Sequence, residues 1–440
     1  CSSDLTMIAS MANKFIWGAA TAAYQIEGAA NEDGRGQSIW DVFSHSPGRT
    51  FNGDTGDVAC DHYHRYREDV ELMKWLGLDA YRFSISWPRV LPDGIGRVNS
   101  KGLGFYDQLV DALLAAGIDP WVTLFHWDSP QALEARGGLT NRDYAKWFAE
   151  YTFVVTEALG DRVKNWMTLN EPLCSAWFGY YKGFFAPGVQ DLQTALNVSH
   201  HLLLSHGYAT EVIRQNVAGA RIGTAMSLTP TESASDKDED LLAARLSDAW
   251  NIRWFVDPIY GRGYPEDLIA KLGMEPDVHA GDLAKISTPT DFLGVNYYFR
   301  EVIAADSQDS LLGARGVEQA DSNVTGMGWE IHADGLLRLL ERLHRDYAPK
   351  EMFITENGSA WPDEVVGGEV IDSDRIEYLA QHTSVVKQAQ AQGIPVNGYF
   401  AWSLLDNFEW AAGYSQRFGL IHVDYATQKR TPKQSADRKS

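Results

Sequence analysis

The sequence predicts an α/β fold, a single (β/α)8 TIM barrel with long βα loops. Three observations lead there: eight short apolar runs of strand character, amphipathic helical stretches between them, and polar or aromatic residues directly after the runs. The 440 residues exceed the usual length of one domain, yet α/β barrels reach such lengths as a single unit. An open doubly wound sheet is the weaker choice, because no Gly-x-Gly-x-x-Gly motif follows the first run.

The elements follow in order. Phe15–Ala20 opens the series. Residues 64–76 then set Tyr66, Val70, Met73 and Leu76 on one helical face, Gly77 stops the helix, and Ala80–Ser84 follows as a strand. The unit repeats: Leu103, Tyr106, Leu109, Val110, Leu113 and Leu114 are spaced helically within 103–116, Gly117 ends the stretch, and Trp121–Phe125 is the next strand. Further runs at Asn165–Leu169, Arg221–Met226, Phe292–Asn296, Met352–Thr355 and Val396–Ala401 complete the eight. The polar insert Ser233–Asp240 and the stretch Asp306–Asn323 read as long loops of one domain.

Composition narrows the function. A hydrophobic fraction of 45%, with 12% aromatic residues, supports a large core. The 59 acidic residues outweigh the 38 basic ones, and the net charge of −21 opposes binding to nucleic acid or an anionic membrane. A small neutral substrate is expected. No run approaches the roughly 20 apolar residues that cross a bilayer, and the N-terminus lacks the basic and apolar segments of a signal peptide. Met7 and Met11 are both plausible starts, so residues 1–12 read as an N-terminal extension added in cloning, and the sequons at Asn197 and Asn323 carry little weight. Cys1, Cys60 and Cys174 are odd in number and irregular in spacing, which argues against disulfides and zinc and for a reducing, cytoplasmic setting.

Barrels concentrate their chemistry at the C-terminal ends of the strands. After the runs stand Gln25 and Glu27; Ser86 and Trp87; His126 and Trp127; Asn170 and Glu171; Thr229; Tyr297 and Tyr298; Glu356 and Asn357; and Trp402. Aromatic faces beside amides, an imidazole and carboxylates suit a sugar, whose ring is apolar on its faces and polar at its edge. Glu171 and Glu356 each end an apolar run just before Pro or Gly, a placement suited to acid/base and nucleophilic work. His62 and His64 lack a third ligand and read as structural, with no metal or cofactor expected, and Cys174 reads as a pocket-wall or packing thiol.

Five segments resemble one known family in the correct order. They are Phe15-Ile-Trp-Gly-Ala-Ala-Thr-Ala-Ala-Tyr-Gln-Ile-Glu-Gly28, Tyr81-Arg-Phe-Ser-Ile-Ser-Trp-Pro-Arg89, Thr168-Leu-Asn-Glu-Pro172, Ile354-Thr-Glu-Asn-Gly358 and Trp402-Ser-Leu-Leu-Asp-Asn-Phe-Glu-Trp410. They look like glycoside hydrolase family 1, in register from about residue 13 to 433. The resemblance implies that residues 13–440 form one catalytic barrel, a retaining β-glucosidase that removes terminal non-reducing glucosyl residues, as in cellulose degradation. It implies Glu356 as nucleophile, Glu171 as acid/base, and Arg82 and Tyr298 as supports of the nucleophile. Gln25, His126, Trp127, Asn170, Asn296, Trp329, Trp402, Glu409, Trp410 and Phe418 are implied to bind substrate, together with Tyr298. A carboxylate at Glu409 argues against phosphorylated sugars. The resemblance also implies a cis peptide at Trp402–Ser403.

Departures from the family pattern bear on specificity. Leu173 stands where the family commonly has Trp, and Phe178 stands where it often has an aliphatic residue. The chain lacks the usual aromatic-containing C-terminal helix, so apolar surface near the first and last strands is expected to be exposed at about 25 cal/mol per Å2, lowering stability. β-Galactosidase or β-fucosidase activity, transglycosylation and a non-catalytic sugar-binding role are the competing readings, the last weakened by retention of both glutamates.

Overall fold

The computed structural model describes residues 14–437 except 310 and 321. Eight parallel strands close into a barrel: β1 Ile16–Ala20, β2 Ala80–Ser84, β3 Asp119–Phe125, β4 Asn165–Asn170, β5 Arg221–Ser227, β6 Phe292–Asn296, β7 Met352–Asn357 and β8 Val396–Trp402. The ring runs β1–β8–β7–β6–β5–β4–β3–β2 and returns to β1, so none of the eight keeps an unpaired edge. All eight apolar runs form strands. Boundaries differ by a few residues: β3 begins at Asp119 and Pro120, and β7 and β8 extend to Asn357 and Trp402. The two helical stretches are His62–Leu76, ended by Gly77 in the left-handed region, and Ser100–Ala115.

Large rings fill the closed end of the barrel. Trp121 of β3 packs against Phe292, Phe353 and Phe400 at centroid distances of 5.4, 4.7 and 5.1 Å. Space for them comes from small residues on neighbouring strands. A Cβ on Gly18 of β1 would lie 2.4 Å from the Phe400 ring. Interdigitation of this kind makes the barrel interior a packed core, not a pore.

Both expected loops contain regular structure. Thr231–Ser233 pairs with Glu301–Ala305, which pairs in turn with Ala314–Gly316, so both polar inserts contribute to a small three-stranded sheet. A helix, Asp238–Asp248, begins inside the acidic run that the sequence presents as loop. Asp238, Glu239 and Asp240 occupy its first turn, where the positive end of the helix dipole favours carboxylates. The residues of the expected N-terminal extension lie outside the described residues. Among the described residues no helix is long and apolar enough to cross a membrane, and no group of three or more His, Cys, Asp or Glu could hold a metal ion.

A buried ion-pair network ties the last segment to the loop after β8. Lys433 Nζ reaches Asp406 Oδ1 (2.7 Å) and Asp363 Oδ2 (2.5 Å), Arg417 donates to Asp406 Oδ2 (2.7 Å), and Arg375 donates to Asp363 (2.6 Å) and Asp372 (2.5 Å). The Gly419 amide also donates to Asp406 (3.0 Å), so this carboxylate pins the loop running from Trp402 to Glu409 against the C-terminal segment. Removing one partner of such a network strands a buried charge. Asp406→Ala is expected to lower the unfolding free energy by about 3–5 kcal/mol; chemical denaturation checks this, and a loss below about 1 kcal/mol would show that the network does not support the fold.

Candidate active site

At the open end of the barrel lies a cavity of about 640 Å3 whose wall includes both Glu171 and Glu356. Glu171 follows β4, and Glu356 is the penultimate residue of β7, so closure of the ring turns the two carboxyl groups toward each other. Gly358 permits this: a Cβ there would sit 1.7 Å from the Trp402 carbonyl oxygen, so β7 and β8 could not keep this close approach with any side chain at that position. The Trp402–Ser403 peptide is cis, as the resemblance implies.

The two carboxyl groups have different neighbours. Arg82, fully buried, donates from Nη1 to Glu356 Oε1 (2.6 Å) and to the Thr355 carbonyl (3.0 Å), and from Nη2 to Asn170 Oδ1 (2.6 Å). The Tyr298 hydroxyl donates to Glu356 Oε2 (2.7 Å). Among the described residues no cation is bonded to Glu171: Asn296 Nδ2 donates to Oε1 (2.9 Å) and the Cys174 thiol to Oε2 (3.1 Å). The Asn296 side chain also donates to Asn170 Oδ1 (3.0 Å) and accepts from the Thr355 hydroxyl (2.6 Å). Burial raises both acids, but the Arg82 and Tyr298 contacts hold Glu356 down, whereas Glu171 is pushed up to about 7 by burial and then by the charge of Glu356. The Arg82 contact thus favours the anion at Glu356 more than at Glu171.

Aromatic rings form the rest of the wall. Trp402 and His126 are nearly parallel at 5.9 Å, His126 and Trp410 at 6.0 Å, and Trp127 lies 4.5 Å from Trp410. Trp127 is held by its indole N–H, which donates to the Asn170 carbonyl (2.9 Å). Farther out, Trp329 packs on Tyr298 (5.3 Å) and Phe418 (6.1 Å). Glu409 completes the inner end; burial and then the Glu356 charge push its carboxyl up to about 8, while Gln25 Nε2 donates to it (3.3 Å). Among the described residues the wall contains no Lys or Arg.

Most residues expected from the sequence thus meet in one place: His126, Trp127, Glu171, Asn296, Tyr298, Trp329, Glu356, Trp402, Glu409, Trp410 and Phe418 all line the cavity. Gln25, Asn170 and Arg82 sit one layer behind. The Asn170 side chain is engaged by His126 (3.0 Å), Arg82 and Asn296, and the Gln25 amide N–H group by Asn407 (2.9 Å), Phe408 (2.8 Å) and Glu409. Gln25 Oε1 and His126 Nδ1 are buried without a hydrogen-bond partner among the described residues. Leu173, Cys174 and Phe178 are in the wall as well.

Several strand-end residues have structural work instead. Glu27 pairs with Arg89 (2.9 Å) and accepts from Tyr106 (2.6 Å), Trp87 stacks on Tyr151 (4.8 Å), Tyr297 donates to the His332 carbonyl (2.6 Å), and Asn357 donates to the Tyr297 carbonyl (2.7 Å). His62 is held by Asp69 (2.7 Å), in keeping with a structural role. Trp250 and Asn251, from a π-helical turn at Ala249–Arg253, enter the wall unforeseen, with Trp250 stacked on Trp177 at 4.1 Å. No strand-end position marks them in the sequence. Glu171 (42°), Trp127 (74°) and Trp410 (51°), all in the wall, have positive φ.

Comparison with known proteins gives a consistent picture. The sequence model described as Glycosyl hydrolase family 1 matches residues 7–438. Beta-glucosidase A of Thermotoga maritima is 49% identical over 425 residues, 96% of this chain and 95% of that protein. The bifunctional beta-D-glucosidase/beta-D-fucosidase of Bifidobacterium breve is 44% identical, covering 96% of each chain. A solved structure of the Thermotoga maritima beta-glucosidase in complex with glucoimidazole superposes with a TM-score of 0.94 at 48% identity, covering 96% of both chains. The glutamate pair, the barrel that carries it and these likenesses along the chain together establish that the protein belongs to glycosyl hydrolase family 1.

Proposed function

We propose that this β-glucosidase cleaves its substrate by double displacement, with Glu356 as nucleophile and Glu171 as acid/base. One observation carries the assignment: two buried carboxyl groups in the wall of one cavity, of which only Glu356 touches a guanidinium among the described residues. Retaining glycosidases hold two carboxyl groups about 5–5.5 Å apart, and the placement of Glu171 and Glu356 in one cavity wall supports such a pair. In the first step the Glu356 carboxylate attacks the anomeric carbon while Glu171 gives its proton to the departing glycosidic oxygen. A glycosyl ester forms and the negative charge beside Glu171 disappears. Its affinity for a proton then drops, so it can take one from the water that hydrolyses the ester.

The substrate is a neutral β-glucoside. An uncharged sugar matches a wall without cations, and one of its hydroxyls would satisfy the unpartnered His126 Nδ1. A phosphorylated sugar would meet carboxyl groups with no Lys or Arg among the described wall residues to offset them. Trp402 and Trp410 offer faces for the ring and Glu409 accepts from its hydroxyls, while Trp329, Leu173 and Phe178 border the leaving group. β-Fucosidase activity is the second reading, favoured by the name of the Bifidobacterium breve relative. A cytoplasmic location is supported by Cys60 and Cys174, both buried and free.

Two experiments test the roles. Hydrolysis of an aryl β-glucoside followed by NMR is expected to yield β-glucose first from the wild type and no glucose from Glu356→Gln; α-glucose as the first product would mean inversion and a different role for Glu356. The proton on Glu171 should be needed only for poor leaving groups. For cellobiose, kcat/KM should fall about tenfold per pH unit above about 7, where Glu171 loses its proton, and Glu171→Gln should cost about 10^2–10^4-fold. A dinitrophenyl glucoside, whose leaving group needs no proton, should show neither effect in the first step. A cellobiose profile level to about pH 9 would contradict the assignment.

A further inference from the structure

We propose that Cys174 is a positioning residue for the reaction: its S–H group steadies the Glu171 carboxyl in the cavity and shifts it toward the base it must become in the second step. The proposal rests on the acid/base reading of Glu171 and deepens it. The thiol lies in the cavity wall and donates to Glu171 Oε2 at 3.1 Å. Local geometry puts it there. Pro172 and Leu173 open a helical turn directly after Glu171, and the Cys174 amide donates to the Glu171 carbonyl (3.0 Å). A side chain three residues into such a turn stands over the residue that begins it. The Glu171 amide is tied in turn to the Ala225 carbonyl of β5 (2.8 Å), so the backbone and the side chain of Glu171 are both anchored.

Each oxygen of Glu171 accepts from one neutral donor, Asn296 Nδ2 on Oε1 and the thiol on Oε2. The charged and titratable groups around them are Glu356 from β7, Arg82 from β2, and Tyr298 and Glu409 from the loops after β6 and β8. Burial pulls the His126 ring of the same wall well below its usual range, so it carries no charge. A hydrogen bond given to a carboxyl group stabilises its anion more than its acid. Burial and then the charge of Glu171 push the thiol itself well above its ordinary range, so it stays S–H and remains a donor in both steps. A thiol is also a weak donor. It therefore eases the loss of the proton from Glu171 without removing the acid that the first step needs.

Cys174→Ala removes the donor, and Cys174→Ser keeps one in the same place. The measurement is the pH profile of kcat/KM for cellobiose and for a dinitrophenyl β-glucoside. Loss of the donor disfavours the Glu171 anion, so the alkaline limb for cellobiose should move up by roughly 0.5–1 pH unit in Cys174→Ala. At pH 9 that variant should keep about 3–10 times more of its maximal value than the wild type keeps of its own. In Cys174→Ser the limb should stay in place or move down, because a hydroxyl donates at least as well as a thiol. The dinitrophenyl glucoside needs no proton from Glu171 and should show no alkaline limb in any of the three. Infrared spectroscopy reads the same contact without a change at Cys174: one S–H stretching band of the wild type should move to lower frequency as pH rises through the limb, and none should do so in Glu171→Gln.

Coincident alkaline limbs in the wild type and Cys174→Ala would overturn this proposal alone. So would equal upward shifts in Cys174→Ala and Cys174→Ser, since packing and not donation would then be at work, and so would S–H bands indifferent to pH in the wild type. Absence of any alkaline limb for cellobiose in the wild type would overturn the acid/base reading of Glu171 and this one with it.

Discussion

The charge of Arg82 is the constraint around which the catalytic end of the barrel is arranged. A guanidinium stays charged at any pH the protein meets, and this one has no exposure to water. Its hydrogen bonds must come from protein, and the surrounding strands supply them: Thr123 from β3 (3.2 Å), Asn170 from β4, and the Thr355 carbonyl and Glu356 from β7. A buried cation held this way fixes the spacing of four strands at once. It also distinguishes the two glutamates, because the acid in direct contact with it is the one favoured as the anion.

Asymmetry between two chemically identical side chains follows from that placement. Burial alone would raise both acids together and give no division of labour. Arg82 and Tyr298 separate them. The charge of Glu356 raises the proton affinity of Glu171, so the two groups do not titrate independently. Around this polar centre the rings of His126, Trp402, Trp410 and Trp329 exclude water, which strengthens every electrostatic effect inside.

Much of this is legible in residue order, and the reasons are physical. Parallel strands buried on both faces appear as continuous apolar runs, which is why Ala80–Ser84 and Phe292–Asn296 agree with the structure to the residue. Strand ends are less visible where polar residues continue the ladder, as at Asp119 and at Glu356 and Asn357. Glu171 and Glu356 stand out because closure of a barrel gathers its strand-end residues around one opening. Position after a strand does not say which way a side chain faces, however, so Glu27, Trp87 and Tyr297 share the pattern and yet support the scaffold. Gln25 and Asn170 belong to the right neighbourhood, one layer deeper than a contact residue. Trp250 and Asn251 reach the wall through a helical excursion between β5 and β6, and nothing local announces such a path. The start of the helix at Asp238 is hidden because carboxylates favoured by a helix dipole resemble the polar composition of a loop.

The positive φ at Glu171, Trp127 and Trp410 has a consequence for protein engineering. Non-glycine residues in this region cost about 1–3 kcal/mol each, and glycine would relieve the cost. A search that ranks substitutions by folding stability alone would thus be drawn toward these three positions. It would reward Glu171→Gly for easing the backbone while discarding one of the two cavity glutamates. Directed evolution for heat resistance in this barrel therefore has to be screened on turnover, because its stability optimum and its working sequence differ where the sugar is cut.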